Sequence, residues 1–290
     1  RSNEASLDAA IAALQTAGAK AIAVCLLNSY ANPAHERAIA QALAQRWPAA
    51  HVSVSVDVLP EFREYERLSS TVVNAYLMPV TREYFRAFET EIKEIGCPEA
   101  PFIMNSGGGI MTPQQAGERP IDTLFSGPSG GVSGAIYVSA RGGHSNIITF
   151  DMGGTSTDVC LIRGGVPEPA PQRIVAGLPI RLPALDVHTI GAGGGSIAAI
   201  DPGGALVVGP RSAGAVPGPA CYGRGGTEPT VTDADVVLGY INPDNFLGGR
   251  IRLDKAKAVD AVQRVADDLD ASAVVELGPT SGILAQLAAM

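Results

Sequence analysis

The sequence predicts an α/β fold in which a mixed sheet is flanked by helices. Helical and strand periodicity alternate from residue 6 to 46, a strand and two helices follow, and strands alternate with glycine-rich loops from residue 100 to 163. The 290 residues, of which 46% are hydrophobic and 17% charged, can bury a sizeable core. The 34 glycines and 21 prolines show no period and therefore indicate many tight turns.

The first part of the chain has a βα rhythm. We expect an alanine-rich helix near residues 6–17 that Gly18 ends, a buried strand in AIAVCLLN, and a helix after Pro33. HVSVSVDV at 51–58 predicts a second strand.

Two helices are expected next, at about 61–77 and 79–95, with Pro79 as a break or kink between them. The first of them has an apolar face and a polar face, formed by Tyr65, Leu68, Val72 and Ala75 and by Glu64, Arg67, Thr71 and Asn74. Because charged helix faces usually point at water, we expect the apolar face in the core and the polar face in solvent. A substrate-facing polar face is the alternative.

Glycine-punctuated strands are expected from residue 100, in FIMNSGGG and NIITFDMGGTSTDVCLI, and short strands continue from 163 to 233. TDADVVLGYI predicts a helix with Asp233 as its N-cap. Further helices are expected at about 254–269 and from 280 to the end.

Composition argues against two classes of partner. A net charge of −8 disfavours nucleic acid and anionic membranes, and no apolar run approaches the roughly 18 residues of a membrane helix. Cys25, Cys97, Cys160 and Cys221 are far apart and lack CxxC spacing, as expected for reduced thiols in the cytoplasm. The start at Arg1 and the end inside an expected helix predict a fragment of a longer chain.

The strongest chemical motif is DMGGTSTD at 151–158, which lies between two apolar strands and predicts a β-hairpin. The P-loop pattern is absent from it, and so is the helix of a dinucleotide fingerprint. Glycines can turn successive N–H groups toward one anion, and Thr155, Ser156 and Thr157 add hydroxyl donors.

Asp151 and Asp158 flank this turn, and their negative charges would repel a phosphate. They are explained if Mg²⁺ or its waters lie between them and the phosphates. The alternative is an ordinary glycine-rich hairpin whose carboxylates cap the turn.

A second glycine turn, DVHTIGAGGGSI, contains Gly193, Gly194 and Gly195. It could approach a nucleotide backbone to backbone, or it could be a bare hairpin turn. His188 and Asp186 stand two residues apart, so in a strand they share a face and could share a metal or a proton, or simply a hydrogen bond. Cys221 is expected to be a buried small residue; a nucleophile would need a histidine partner.

Four strings, DMGGTSTDV, SGPSGGVSGA, HTIGAGGGSIA and PGPACYGRGGTEPTVTDADVVLG, resemble the ATP-binding subunit of the hydantoinase A, 5-oxoprolinase and acetone carboxylase family. The family is similar to actin-like ATPases, whose two RNase H-like lobes each supply a phosphate hairpin. The resemblance implies that Asp151, Gly153, Gly154, Thr155 and Asp158 lie at the phosphates and the metal. It also implies that SGPSGGVSGA is the connecting helix, in which Gly130 and Gly134 allow close packing.

The resemblance implies an ATP- and Mg²⁺-dependent enzyme that phosphorylates a cyclic amide, such as a hydantoin or 5-oxoproline, for hydrolysis. A hydantoinase B-type subunit or a fused second half would be its partner. A ketone carboxylase subunit is the alternative, and an actin-like nucleotide switch or a kinase is a rival of another class.

The same resemblance implies two regions: residues 1–75, the end of the family's N-terminal region, and residues 76–290, an ATPase-type domain incomplete at its C-terminal end. No first DxGGTxTD hairpin precedes residue 100, and no GGxGP loop precedes Met290. We therefore expect this stretch alone to bind ATP weakly or not at all.

Overall fold

The computed structural model describes residues 4–269, in two units. Unit 1 contains residues 4–148 and 160–187, and unit 2 contains residues 149–159 and 188–269. The helix expected from residue 280 onward lies outside the described residues. Within the described part of the chain, no helix is both long and apolar enough to cross a membrane.

Helices form a large share of the described chain. They are α1 Glu4–Thr16, α2 Ala34–Arg46, α3 Ser55–Val58, α4 Glu64–Glu94, α5 Pro113–Glu118, α6 Ser126–Arg141, α7 Val231–Leu238 and α8 Lys255–Asp268. The strands are β1 Ala21–Val24, β2 His51–Val54, β3 Ile103–Met104, β4 Ile110–Met111, β5 Ile147–Met152, β6 Thr157–Arg163, β7 Val166–Pro167, β8 Pro169–Val175, β9 Leu178–Leu185, β10 Val187–Ile190, β11 Ser196–Ile200 and β12 Leu206–Ser212.

The sheets combine parallel and antiparallel pairs. β1 and β2 are parallel, whereas β3–β4, β8–β9 and β11–β12 are antiparallel pairs. A further sheet has the order β10-β6-β5, with β7 paired to β6. The division between the two units falls inside β5, β6 and β10. The predicted α/β class with mixed pairing and flanking helices is confirmed.

The core of unit 1 is built in layers around its strands. α1 and α2 pack Ile11 and Leu43 against Ile22 and Val24 of β1. A second cluster joins Val58, Leu59 and Ile121 to Ile180, Leu182 and Ala184 of β9. These clusters hold β1 and β9 in the core of unit 1.

The strand predicted over residues 51–58 is wrong in its second half, because the chain turns into α3 at Ser55. The buried carboxylate of Glu36 explains the change. It accepts hydrogen bonds from Ser55 Oγ at 2.7 Å and from Val56 N at 3.1 Å. A carboxylate that accepts N–H groups at the start of a helix stabilises that end.

Of the break or kink predicted at Pro79, the break is wrong, because α4 runs through it as one helix of 31 residues. The kink stays a prediction. Proline removes one helical hydrogen bond. The helix contacts β1, β2, β9 and α5, and this packing outweighs the loss.

The two faces of α4 are reversed relative to the prediction. Arg67, Thr71 and Asn74 are at most 1% exposed, whereas Tyr65 is 63% exposed. Of the predicted apolar face only Ala75 is buried, because Leu68 and Val72 are also exposed. Most of these buried polar groups have partners: Arg67 Nη2 donates to Leu26 O, and Asn74 Nδ2 donates to Ser53 Oγ. Arg67 Nε is buried without an acceptor among the described residues.

Unit 2 contains the β11–β12 pair, α7 and α8. Ala198 of β11, Ala234 of α7 and Val262 of α8 form the centre of a buried cluster. The N-cap predicted at Asp233 is wrong: Thr230 is the N-cap, and Asp233 is the third helical residue of a capping box. The predicted helix 254–269 is confirmed as α8, with Asp254 as its N-cap.

The SGPSGGVSGA segment forms α6, as the resemblance implied. The close packing expected at its glycines is not found. A Cβ on Gly134 would have no neighbour within 4 Å, and one on Gly130 would lie 3.9 Å from Met104. These glycines are therefore not required by close backbone approach in this structure.

Candidate functional site

The DMGGTSTD motif forms the predicted hairpin. β5 ends at Met152, β6 begins at Thr157, and the two strands are neighbours in one sheet. Gly153 N donates to Ser156 O at 2.8 Å and closes the turn. Gly153, Gly154 and Thr155 are exposed, so the tip of the hairpin faces solvent as predicted.

The tip of this hairpin carries N–H groups that are available to a ligand. Within residues 4–269, the amides of Gly154, Thr155 and Ser156 have no protein acceptor, and neither do the hydroxyls of Thr155 and Ser156. Consecutive N–H groups in a turn form a concave site for an anion. The geometry therefore offers a cradle for a phosphate group.

The second glycine turn lies directly against the hairpin turn. Gly194 N donates to Gly153 O at 2.9 Å, and Gly195 N donates to Gly154 O at 2.6 Å. A Cβ on Gly193 would lie only 2.7 Å from Gly153 O and from Ser156 N. The two turns predicted separately from the sequence are thus brought together.

The N–H groups of the second glycine turn are used within the protein. The N–H groups of Gly193, Gly194 and Gly195 all donate to protein acceptors, that of Gly193 to Ser196 Oγ at 2.8 Å. The N–H groups of Gly194 and Gly195 hold the hairpin turn through its carbonyl groups, whereas that of Gly193 closes its own turn on Ser196. The direct nucleotide contact predicted for these glycines stays a prediction.

The start of α7 in turn holds the second glycine loop, Gly193–Gly195, in place. Thr232 N and Thr232 Oγ1 both donate to Gly194 O, at 2.7 and 2.8 Å. Asp233, which is fully buried, accepts hydrogen bonds from Thr230 N at 3.0 Å and from Cys221 N at 2.8 Å. The PGPACYG and TVTDAD motifs thereby form one rigid base under the two turns.

Cys221 belongs to this base. It is buried, and burial together with the neighbouring Asp233 carboxylate raises the pKa of its thiol far above the ordinary range. A thiol in this environment stays protonated and is a poor nucleophile. The prediction of a buried small residue is confirmed.

The hydroxyl and carboxyl side chains of the motif differ in their exposure and in their hydrogen-bond partners. Asp151 is exposed beside the tip, whereas Thr157 is buried and donates to Ala192 O at 2.6 Å. Asp158 is half-buried, and Thr189 Oγ1 donates to its Oδ1 at 2.7 Å. Thr157 therefore connects the two turns, and its predicted role as a phosphate donor stays a prediction.

Two carboxylates beside a phosphate cradle fit the usual requirements of Mg²⁺, which binds one or two carboxylates together with substrate phosphates and waters. No group of three or more His, Cys, Asp or Glu side chains suited to a metal occurs among residues 4–269. The two carboxylates are of the kind that Mg²⁺ binds together with phosphate oxygens and waters.

His188 is exposed on β10, and Asp186 precedes that strand. Asp186 forms an ion pair with Arg173 at 3.3 Å. Side chains alternate along a strand, so His188 and Thr189 point to opposite faces, and it is Thr189 that contacts Asp158. The metal or proton role predicted for His188 stays a prediction.

Three supporting residues were missed in the sequence: Thr189, Ser196 and Thr232. The hydroxyls of these residues contact Asp158, Gly193 and Gly194 respectively, and Thr232 adds its backbone N–H. A local motif could have identified only Thr232, as the residue before the acidic member of a capping box. The other two contacts join positions whose approach depends on the fold.

Comparison with known proteins gives matches over nearly the whole chain. The model of the hydantoinase/oxoprolinase family matches residues 67–289, and that of the hydantoinase/oxoprolinase N-terminal region matches residues 1–46. The caprolactamase subunit alpha of Pseudomonas jessenii is 40% identical over 93% of this chain. The acetophenone carboxylase gamma subunit of Aromatoleum aromaticum is 40% identical over 88%, and 5-oxoprolinase of Saccharomyces cerevisiae is 37% identical over 84%.

Solved structures give the same result. The crystal structure of ATP-dependent caprolactamase from Pseudomonas jessenii matches 98% of this chain with a TM-score of 0.81 and 38% sequence identity. The chain spans 39% of the caprolactamase subunit alpha, 36% of the acetophenone carboxylase gamma subunit and 19% of the yeast 5-oxoprolinase.

Proposed function

Because the chain belongs to the hydantoinase/oxoprolinase family, we propose that its hairpin binds the phosphates of ATP and that it acts in the ATP-dependent activation of a cyclic amide for hydrolysis. One observation carries the proposal: the exposed turn at Gly153–Ser156 presents three amides without protein acceptors, while hydrogen bonds from Gly194 and Gly195 and the tight packing of Gly193 hold its backbone. A rigid row of donors is suited to charge that develops in a transition state.

Asp151 and Asp158 are proposed to hold Mg²⁺ through its waters. Asp151 is exposed at the tip, and the Thr189 hydroxyl orients the Asp158 carboxylate. When bound, Mg²⁺ would neutralise phosphate charge and orient the transferring group. The Gly154, Thr155 and Ser156 amides would bind phosphate oxygens directly.

The proposed reaction makes an unreactive amide reactive. The amide oxygen attacks the terminal phosphorus of ATP, the bond to the bridging oxygen breaks, and ADP leaves. The product is an imidate phosphate, whose carbon accepts water more readily than the amide. When the C–N bond then breaks and its nitrogen takes a proton, an acyl phosphate remains, and a second water releases inorganic phosphate and the carboxylate of the opened amino acid. Positioning and charge neutralisation are the protein's main contributions to phosphoryl transfer.

The partner is proposed to be a hydantoinase B-type subunit or a fused second half, in which the activated amide meets water. The names of two relatives, a subunit alpha and a gamma subunit, support an assembly of several chains. A cytoplasmic location is proposed with this function, from the cysteine pattern.

Activation of a ketone for carboxylation is the second candidate, and the acetophenone carboxylase gamma subunit, at 40% identity, favours it. The same hairpin could phosphorylate a ketone as its enol. A nucleotide switch would instead show nucleotide-dependent association without turnover, and a kinase would release a stable phosphorylated product.

ADP release by the full-length protein with its partner distinguishes these functions. The substrates to compare are ε-caprolactam, 5-oxoproline, hydantoin, and acetophenone with bicarbonate. The proposal expects ADP release that a cyclic amide stimulates and that stops when Mg²⁺ is chelated. Stimulation by the ketone alone would establish the carboxylase function, and no stimulation by any of them would contradict both.

A further inference from the structure

Unit 1 contains a cavity of about 290 Å³ that the phosphate hairpin does not explain. Leu59, Leu182 and Ala184 form part of its wall, and all three are buried members of one apolar cluster. Its walls are therefore held in place by the core. We call it the β8–β9 cavity.

An irregularity in the β8–β9 ladder forms this cavity. Ala170 pairs with Ala184 and Gln172 with Arg181, so Pro171 alone lies opposite Leu182 and Pro183. Pro171 and Pro183 have no N–H and cannot donate across the ladder. A β-bulge of this kind opens the sheet and often lies next to a functional site.

A glycine turn forms another part of the wall. A Cβ on Gly107 would lie 3.4 Å from Pro183 O, at the short end of ordinary van der Waals contact, so the glycine turn packs directly against β9. Asn105 Oδ1 accepts hydrogen bonds from Gly107 N and Gly109 N and so fixes the turn. The NSGGG motif of the sequence thus has a place in the structure, beside the cavity.

The volume of the cavity limits its ligand. It lies at the lower end of the range for small-molecule sites, about 300 to 1,000 Å³. At about 30 Å³ for each water in the liquid, it holds roughly ten groups of that size. A small ring fits within this volume.

The charged residues around the cavity limit which ligands it can bind. Its charged lining residues are Glu61 and Arg181, whose carboxylate and guanidinium lie 2.6 Å apart. They neutralise each other, so a ligand carboxylate would find no free cation. The pair favours a neutral ligand.

The same pair matches one functional group. Arg181 uses Nη1 for Glu61, and a guanidinium has further N–H donors, while the carboxylate can still accept. The pair therefore offers a hydrogen-bond donor, Arg181, beside a hydrogen-bond acceptor, Glu61. An amide in a small ring is held in the cis form, with N–H and C=O on one edge, whereas an open-chain amide is trans.

We propose that the β8–β9 cavity binds an uncharged cyclic amide, with its methylene groups on the leucine and proline walls and its amide edge on the Glu61–Arg181 pair. This inference rests on the proposed function for the substrate class. The cavity lies in unit 1 and the hairpin in unit 2, so each is tested by its own variants.

Calorimetry on the full-length protein without nucleotide tests this inference. The probes are ε-caprolactam, its open-chain counterpart N-butylacetamide, and 5-oxoproline as an anionic ring. We expect ε-caprolactam to bind at least about tenfold more tightly than either of the others, the gain of one charge-assisted hydrogen bond. Equal binding of N-butylacetamide would overturn the match to a cis amide.

Two variants locate the binding. Pro171→Trp fills the cavity from an exposed position and should abolish ε-caprolactam binding. Glu61→Gln leaves Arg181 unpaired and should shift the preference toward 5-oxoproline. Glu228→Gln, which breaks the exposed Arg211–Glu228 pair at 2.7 Å outside the cavity, should change nothing.

The outcomes separate this inference from the proposed function. Unchanged ε-caprolactam binding in both Pro171→Trp and Glu61→Gln, with unchanged thermal melts, would overturn the cavity assignment even if lactam-stimulated ADP release continues. Cavity binding that the variants remove, without any lactam-stimulated ADP release, would support the site and contradict the proposed function.

Discussion

At the scale of single residues, the contact between the two glycine turns leaves no room for a side chain. A Cβ on Gly193 would lie 2.7 Å from three backbone atoms of the hairpin turn. Backbone cannot give way as a flexible side chain can, and overpacking typically costs about 1 to 3 kcal/mol. We therefore expect Gly193→Ala to lower the free energy of unfolding by that amount in denaturant titration.

Gly154→Ala is the matched control for stability. A Cβ there would meet nothing within 4 Å, and the backbone of Gly154 does not have positive φ. Its free energy of unfolding should stay within about 0.5 kcal/mol of the parent protein. A Gly193→Ala protein as stable as this control would show that the two turns are not in tight contact.

Glu36 gives a prediction for pH. Burial alone would raise the pKa of this carboxyl, but hydrogen bonds from Leu26 N, Ser55 Oγ, Ser29 and Val56 N outweigh burial and hold the pKa below its ordinary value. A carboxyl with a lowered folded-state pKa stabilises the protein above its unfolded-state pKa, about 4.3, and loses this contribution as the pH falls.

Denaturant titration of Glu36→Gln against pH measures this effect. The variant should be less stable than the parent protein at pH 7, and the difference should shrink as the pH falls below about 4.3. A difference that is constant from pH 7 to pH 3 would mean that the charge of Glu36 contributes nothing. The exposed Glu91→Gln serves as the control.

At the scale of elements, α4 shows which of its faces holds the fold. Asn74 is 1% exposed, donates to Ser53 Oγ and Glu118 O, and accepts from Ile121 N at 3.2 Å. Asn74→Ala leaves these buried groups unpaired and should cost about 2 to 3 kcal/mol. Tyr76→Ala, on the exposed face with 78% exposure, should cost under about 0.5 kcal/mol.

Thermal and chemical unfolding of the two variants decide between the faces. If Tyr76→Ala proves the more damaging substitution, the side of α4 that carries Tyr76 is the buried one, and the burial described here is contradicted. The outcome is informative because the two positions lie two residues apart on one helix.

The reversal of α4 shows a limit of sequence patterns. Periodicity identifies two faces, but it cannot tell which is buried when the polar side chains have partners far away in sequence. The partners of Arg67 and Asn74, at Leu26, Ser53 and Glu118, are brought near only by the fold. Local patterns succeeded where local physics decides, as at the hairpin and at the end of α1.

The capping box of α7 shows the same limit of sequence patterns for a single residue. Thr230 and Asp233 stand at the spacing of a capping box, so the correct N-cap was readable from the sequence. What the sequence could not provide is the second use of Asp233, whose carboxylate also accepts from Ala220 N and Cys221 N. That contact crosses a loop of about ten residues.

At the scale of the whole molecule, the DMGGTSTD turn and the residues that support it all lie in unit 2. DMGGTSTD and GAGGGS were recognised as separate turns, and their assembly into one site comes from the structure. The predicted boundary between residues 75 and 76 falls within α4, and it stays a prediction. The β8–β9 cavity had no counterpart in the sequence analysis, because a bulge and two prolines create it.

The central claim is that the hairpin binds nucleotide phosphates with Mg²⁺, and Asp151→Asn in the full-length protein tests it most directly. Asparagine keeps the size of the side chain and removes its charge. Substrate-stimulated ADP release should fall on the order of a hundredfold or more, as for other preorganised charged groups. The thermal melt should not change, because Asp151 is exposed and asparagine suits a turn.

Asp260→Asn, at an exposed position on α8, is the matched control and should keep full activity. The account predicts an inactive, stable Asp151→Asn protein beside an active, stable Asp260→Asn protein. An Asp151→Asn protein that releases ADP at the parent rate would contradict it, and so would one that loses its thermal transition.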